Sequence, residues 1–97
     1  MKKLEIRIKD PEGLHARPAS RLVRMCHSFQ SEIMLHFRGA GANGKNITEV
    51  LSLGAEKGDI ISFVIKGSDE EEAAPALLEM MGKSIPGGRK QDLYGSH

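Results

Sequence analysis

GLHARPAS, residues 13–20, is the stretch that orders the rest of the chain. Its histidine, His15, stands just ahead of Arg17 and Pro18, at a point where the sequence changes period. Upstream, KLEIRIK alternates strictly. Leu4, Ile6 and Ile8 fall on one face, and Lys3, Glu5, Arg7 and Lys9 on the other. That is the pattern of a half-buried strand, and DPEG then turns the chain. Downstream, Ala19, Leu22, Val23 and Cys26 recur at i, i+3, i+4 and i+7, one face of a helix that begins at Ala16. Arg17, Ser20, Arg21, Arg24 and His27 occupy the opposite face. Pro18 fits the first helical turn, where its missing N–H costs nothing and its φ is already set.

Further along, SEIMLHFR alternates again, with Ile33, Leu35 and Phe37 on one face. GAGANGK reads as a turn with a short edge strand. NITEVLSLG predicts a short helix, with Asn46 as N-cap, Glu49 placed for a capping box and Gly54 closing the end. Ile47, Val50 and Leu51 are its apolar members. DIISFVIK is the most apolar strand, with Ile61, Phe63 and Ile65 expected in the core. GSDEEEAAPALLEMMGK predicts a last helix capped by Ser68 or Asp69, with acids at the positive end of its dipole. Leu77, Leu78 and Met81 form its apolar stripe. Pro75 implies either a kink or a start near Ala74. Residues 84–97 lack periodicity and read as a flexible tail. The order β-α-β-(β)-α-β-α is an α+β architecture with helices on one face of one sheet. It divides the chain into a domain, 1–83, and the tail, 84–97.

The totals narrow the function. Ninety-seven residues make one small domain. A net charge of +1 gives no bulk electrostatic case for nucleic acid, and 4% aromatics without Trp argue against base stacking. One cysteine excludes an internal disulfide and fits a reducing compartment. No apolar run reaches membrane-spanning length. A soluble, cytoplasmic protein is expected. Cys26 reads as a buried structural thiol, and His27 and His36 lack metal-ligand spacing with it.

GLHARPAS followed in register by SLGAEKGD resembles HPr, the histidine-containing phosphocarrier of the bacterial phosphoenolpyruvate-dependent phosphotransferase system. The resemblance covers residues 1 to about 83 and includes the element order. It implies an open-faced β-sandwich, a four-stranded antiparallel sheet covered on one face by three helices. It also implies that His15 accepts a phosphoryl group from enzyme I and passes it to a IIA domain. The atom modified would be Nδ1, and a tele-phosphohistidine is not expected. No cofactor and no metal are implied, and the carrier would act stoichiometrically, as a monomer.

The chemistry of the residues agrees with that implication. A neutral imidazole is a nucleophile near pH 7, and its phosphoramidate is labile enough to pass on. Unpaired N–H groups at a helix start bind anions. Here Ala16 and Arg17 can donate, while Pro18 cannot. Arg17 adds a fixed cation for the phosphoryl in flight.

Arg17, Arg21, Arg24 and His27 form a basic stripe beside His15. Lys45, Ile47 and Leu51 match positions where the family's short second helix meets enzyme I and IIA. Thr48 and Glu49 depart from the family's frequent choices. At position 46, relatives from many Gram-positive bacteria carry a serine that an ATP-dependent kinase phosphorylates, and this chain has Asn46. Sugar transport, a non-transport relay (nitrogen-type or toward a kinase subunit) and a binding module of the same fold are the open readings. Retention of His15 and Arg17 favours the relay.

Overall fold

The computed structural model describes residues 1–82. The tail expected at 84–97 lies outside them. Seven elements follow one another: β1 (Lys2–Arg7), α1 (Ala16–His27), β2 (Glu32–Phe37), β3 (Ala40–Asn43), α2 (Ile47–Ser52), β4 (Ile60–Lys66) and α3 (Glu70–Gly82). The strands make one antiparallel sheet in the order β1-β4-β2-β3. β1 and β2, joined through α1, leave a gap that β4 fills.

Strict alternation decides which face meets the helices. Leu4 pairs with Phe63, Phe63 with Leu35, and Leu35 with Ala42, so one row of apolar side chains crosses all four strands. All four are buried, as are Ile6, Ile33, Ile61 and Ile65 beside them. Removing one such side chain from water stabilises the fold by about 1.5–3 kcal/mol. A shift of one residue in any strand would expose its whole set. Ala19, Leu22 and Cys26 of α1, Val50 of α2, and Leu77 and Leu78 of α3 close the core from above. The architecture is the open-faced sandwich expected from the sequence, including the weakly signalled edge strand β3.

The helix ends differ in detail from what spacing alone suggests. Asn46 does cap α2, its side chain accepting from the Glu49 N–H at 3.1 Å. Glu49 does not complete the box. Its carboxylate takes the N–H of Asn43 at 2.7 Å, while the Asn46 N–H goes to the Asn43 carbonyl. The glutamate therefore ties α2 to the end of β3.

α3 begins at Glu70, ahead of Pro75, rather than near Ala74. Three acids in its first turn favour that start through the dipole. Pro75 removes the bond to the Glu71 carbonyl, but both residues are exposed and water can serve that oxygen. The Asp69 carbonyl accepts from the N–H groups of Glu72 and Ala73. Its carboxylate turns elsewhere, accepting from the Gln30 and Ser31 N–H groups at 2.8 and 2.9 Å and from the Ser31 hydroxyl. Ser31 is the one fully buried polar residue among those described, so the first residues after α1 are clamped to the start of α3.

The Ser31 hydroxyl, the Gln30 N–H and the Ser31 N–H hold the Asp69 carboxyl below its ordinary pKa. A lowered folded pKa gives stability that is present above the unfolded value and lost as pH falls through the folded one. Asp69→Asn should therefore melt below the parent near pH 7, with the gap narrowing as pH drops toward 3. Thermal melts followed by circular dichroism across that range provide the measurement. A gap that stays constant would assign the loss to shape rather than charge. Cys26, by contrast, is inert by burial. Desolvation pushes its thiol up to about 12, against a smaller opposing pull from the Lys45 ammonium.

Candidate functional site

The site is assembled where two loops meet. The Gly13 N–H donates to the Asp10 carbonyl at 2.9 Å and closes the turn after β1. The Leu14 N–H then donates to the Ala55 carbonyl at 2.9 Å, and the Leu14 side chain is buried. Gly13 has φ +68°, and a Cβ there would lie 2.8 Å from the Glu56 Cα and 2.9 Å from the Ala55 carbonyl oxygen. The two sequence blocks are therefore a single structural unit. Residues 54–56, which follow α2, are the shelf on which residues 13–14 rest. Spacing showed both blocks but not this contact between them.

One residue past that anchor, His15 stands exposed at the N-cap of α1 in extended conformation. Its carbonyl accepts the first helical bond, from the Ala19 N–H at 2.7 Å. Its imidazole makes no capping bond. The N–H groups of Ala16 and Arg17 are helix-initial and have no partner within the helix, and Pro18 contributes none. Ala16 and Arg17 are both exposed, and the first turn contains no acid to compete for those donors. The geometry places an exposed imidazole beside the donors of a helix start, the kind of position that favours an anion.

The remaining candidates lie along α1 and α2, which pack against each other. Arg21 and Arg24 are exposed and form no ion pair among the described residues. Ile47 is half-buried and Leu51 is 39% exposed, a large apolar side chain left on the surface. His27 and Lys45 are tied to each other. The His27 Nε2–H donates to the Lys45 carbonyl at 2.8 Å, since a carbonyl can only accept. The Lys45 ammonium donates to the Phe29 carbonyl at 2.7 Å, just past the end of α1. His27 sits about 18 Å along the helix axis from His15. The pair braces the far end of α1 against the approach to α2. Among the described residues no group of three or more His, Cys, Asp or Glu could hold a metal ion. No helix among them is long and apolar enough to cross a membrane.

Fold and site together define a small α+β domain that offers an exposed histidine at the N-terminus of its first helix. The family described as "PTS HPr component phosphorylation site" matches residues 2–83. The phosphocarrier protein HPr of Mycoplasma genitalium is 42% identical over 85 residues, covering 87% of this chain and 97% of that protein. The HPr of Mycoplasma pneumoniae is 40% identical over 84 residues, covering 86% and 96%. Among solved structures, HPr from Thermoanaerobacter tengcongensis superposes with a TM-score of 0.83 at 37% identity, over 86% of this chain and 93% of that one. The chain belongs to the HPr family, the phosphocarrier proteins of the phosphotransferase system.

Proposed function

We propose that this protein accepts a phosphoryl group on Nδ1 of His15 from phosphorylated enzyme I and hands it to a IIA domain, as in sugar uptake. The observation that carries the reading is the pair of helix-initial N–H groups, Ala16 and Arg17, beside an exposed imidazole that makes no capping hydrogen bond. In the transfer, Nδ1 forms a bond to phosphorus as the donor's bond to phosphorus breaks. Charge spreads over the three equatorial oxygens meanwhile. The two N–H groups and the Arg17 guanidinium meet that charge. In the onward step the Nδ1–phosphorus bond of the phosphoramidate breaks as a nucleophile of the IIA domain bonds to phosphorus, and the His15 imidazole is the leaving group. The protein is consumed and regenerated one group at a time, so it is a stoichiometric carrier rather than a catalyst, acting as a cytoplasmic monomer. Arg17, Arg21 and Arg24 with Ile47 and Leu51 form the docking face for both partners, and His27 and Lys45 lie at its far end.

Incubation with enzyme I and phosphoenolpyruvate, followed by intact mass, tests the reading. One acid-labile phosphoryl group is the expected product. None, with an enzyme I competent on another HPr, would overturn it.

Arg17→Ala should still accept the group but more slowly, by about 10–100-fold. That range corresponds to roughly 1.4–2.7 kcal/mol of transition-state stabilisation. Single-turnover rates measure the effect, and an unchanged rate would remove Arg17 from the mechanism.

Control through His15 alone is the second part of the proposal. Asn46 keeps the cap and offers no hydroxyl. The Ser52 hydroxyl donates to the Glu49 carbonyl at 2.6 Å in the last turn of α2, where a phosphate would face the negative dipole end. Treatment with an HPr-type kinase and ATP should leave α2 unmodified. Stoichiometric phosphate on Thr48 or Ser52, found by peptide mapping, would mean the switch had moved.

A further inference from the structure

The second sequence block, SLGAEKGD, ends in Asp59, a residue with no part in the phosphoryl path. Its backbone belongs to the sheet. The Ile8 N–H donates to the Asp59 carbonyl at 2.8 Å, and the Gly58 N–H donates to the Ile8 carbonyl at 2.8 Å. Its side chain belongs to the loop. One carboxylate oxygen, Oδ2, accepts from the Glu56 N–H at 2.8 Å, while the Asp59 N–H donates to the Glu56 carbonyl at 2.9 Å. The turn at 56–59 is thus closed from both sides. The other oxygen, Oδ1, lies 3.8 Å from an Arg38 guanidinium nitrogen. Arg38 is 77% exposed, so that pairing is screened and weak. The charge-assisted bond from Glu56 is the stronger tie.

The Glu56 N–H and the Ala55 carbonyl are the two ends of one peptide unit. A trans peptide is planar, and its N–H and C=O point in opposite directions. Fixing one end therefore aims the other. The end aimed here is the Ala55 oxygen, which accepts from the Leu14 N–H at 2.9 Å, one residue before His15. A carboxylate at the N–H end also polarises the unit and makes its oxygen a better acceptor. The same peptide is packed against Gly13, where a Cβ would come within 2.9 Å of the Ala55 oxygen. Any rotation of it is felt at residues 13–14. Burial of the Leu53 and Ala55 side chains holds the loop in place, but a buried side chain does not set the plane of the peptide after it. A bonded route thus runs from the sheet, through the Asp59 carboxylate and the Ala55–Glu56 peptide, to the residue before His15.

We propose that Asp59 is a positioning residue for the phosphoryl transfer. Its carboxylate sets the Ala55–Glu56 peptide plane, and through the Leu14 bond that plane sets where His15 stands against the Ala16 and Arg17 donors. The proposal rests on His15 as the acceptor.

Asp59→Ala tests it, because Glu56 is exposed and water can take over its N–H, so the fold survives. Amide exchange followed by NMR on the free protein should become at least about tenfold faster at Leu14. It should be unchanged at Ile8, whose bond goes to the backbone of residue 59. In single-turnover transfer from phosphorylated enzyme I, the rate at saturation should fall about tenfold. The enzyme I concentration giving half that rate should stay within about twofold, since Arg21, Arg24, Ile47 and Leu51 are untouched. Asp59→Asn keeps an acceptor oxygen of the same reach and should restore most of both effects. Leu14 exchange that is unchanged by Asp59→Ala, or raised equally at Ile8, would overturn the proposal. So would a saturated rate equal to the parent's, a loss confined to the half-saturating concentration, or failure of Asp59→Asn to restore Leu14. If the parent itself took up no phosphoryl group, the carrier reading would fail, and Leu14 exchange would still decide whether Asp59 sets this peptide.

Discussion

His15→Ala should take up no phosphoryl group from enzyme I and phosphoenolpyruvate, while melting close to the parent. The chemical half follows from the site. Under the proposed function the His15 imidazole forms the bond to phosphorus, and without it the helix-start donors have no nucleophile beside them to form that bond. The stability half follows from the cap. Replacing an N-cap side chain by alanine usually costs about 1 kcal/mol because a capping hydrogen bond is lost. His15 makes no such bond and is exposed, so the change should stay within about 0.5 kcal/mol. In a domain of this size that is a few degrees in Tm at most. Intact mass reads the first effect and a thermal melt the second. A phosphoryl group still present in the variant would move the nucleophile elsewhere. Loss of cooperative unfolding would make His15 structural.

Gly13→Ala is expected to damage both stability and transfer. The added methyl would sit 2.8 Å from the Glu56 Cα and 2.9 Å from the Ala55 oxygen, both backbone atoms with no rotamer to escape into. The positive φ adds left-handed strain of about 1–2 kcal/mol. With the overlap, roughly 2–4 kcal/mol in all is reasonable, against a total of about 5–15 for a small domain. Tm should fall on the order of 10 °C or more. Relief of the overlap would pull Leu14 from Ala55 and shift His15, and a misplacement of about 1 Å can slow transfer by roughly 100-fold. Gly54→Ala is the matched control. Gly54 has φ +67° but nothing within 4 Å of its missing Cβ, so only the backbone strain applies and the loss should be visibly smaller. Equal losses for the two would show that the shelf under residues 13–14 does not depend on close contact.

The regular strands and α1 were legible because period survives in one dimension. Leu4, Ile6 and Ile8, then Ile33 and Leu35, then Ile61, Phe63 and Ile65 all alternate, and all are buried. β3 was harder. AGAN carries one buried side chain, Ala42, and is held by pairing with β2 rather than by its own composition. Ser68 and Asp69 both stand where a cap is possible, and the Asp69 carboxylate is drawn away by Ser31, a partner 38 residues distant. Glu49 was drawn off its box by Asn43 in the same way. Short polar side chains have several partners within reach, and only the folded chain ranks them.

By itself, the sequence determined the element order, the buried face of each regular strand, the start of α1 and the placement of His15, Ala16 and Arg17 at that start. These follow from side-chain period and from the local rules of helix initiation, which involve neighbours within a few residues. The tertiary structure decided the strand order, the clamp of Asp69 on Gln30 and Ser31, the His27–Lys45 brace and the seating of residues 13–14 on residues 54–56. Each depends on backbone groups brought together from far along the chain, and a hydrogen bond or a Cβ-sized gap between such groups leaves no periodic trace in the sequence.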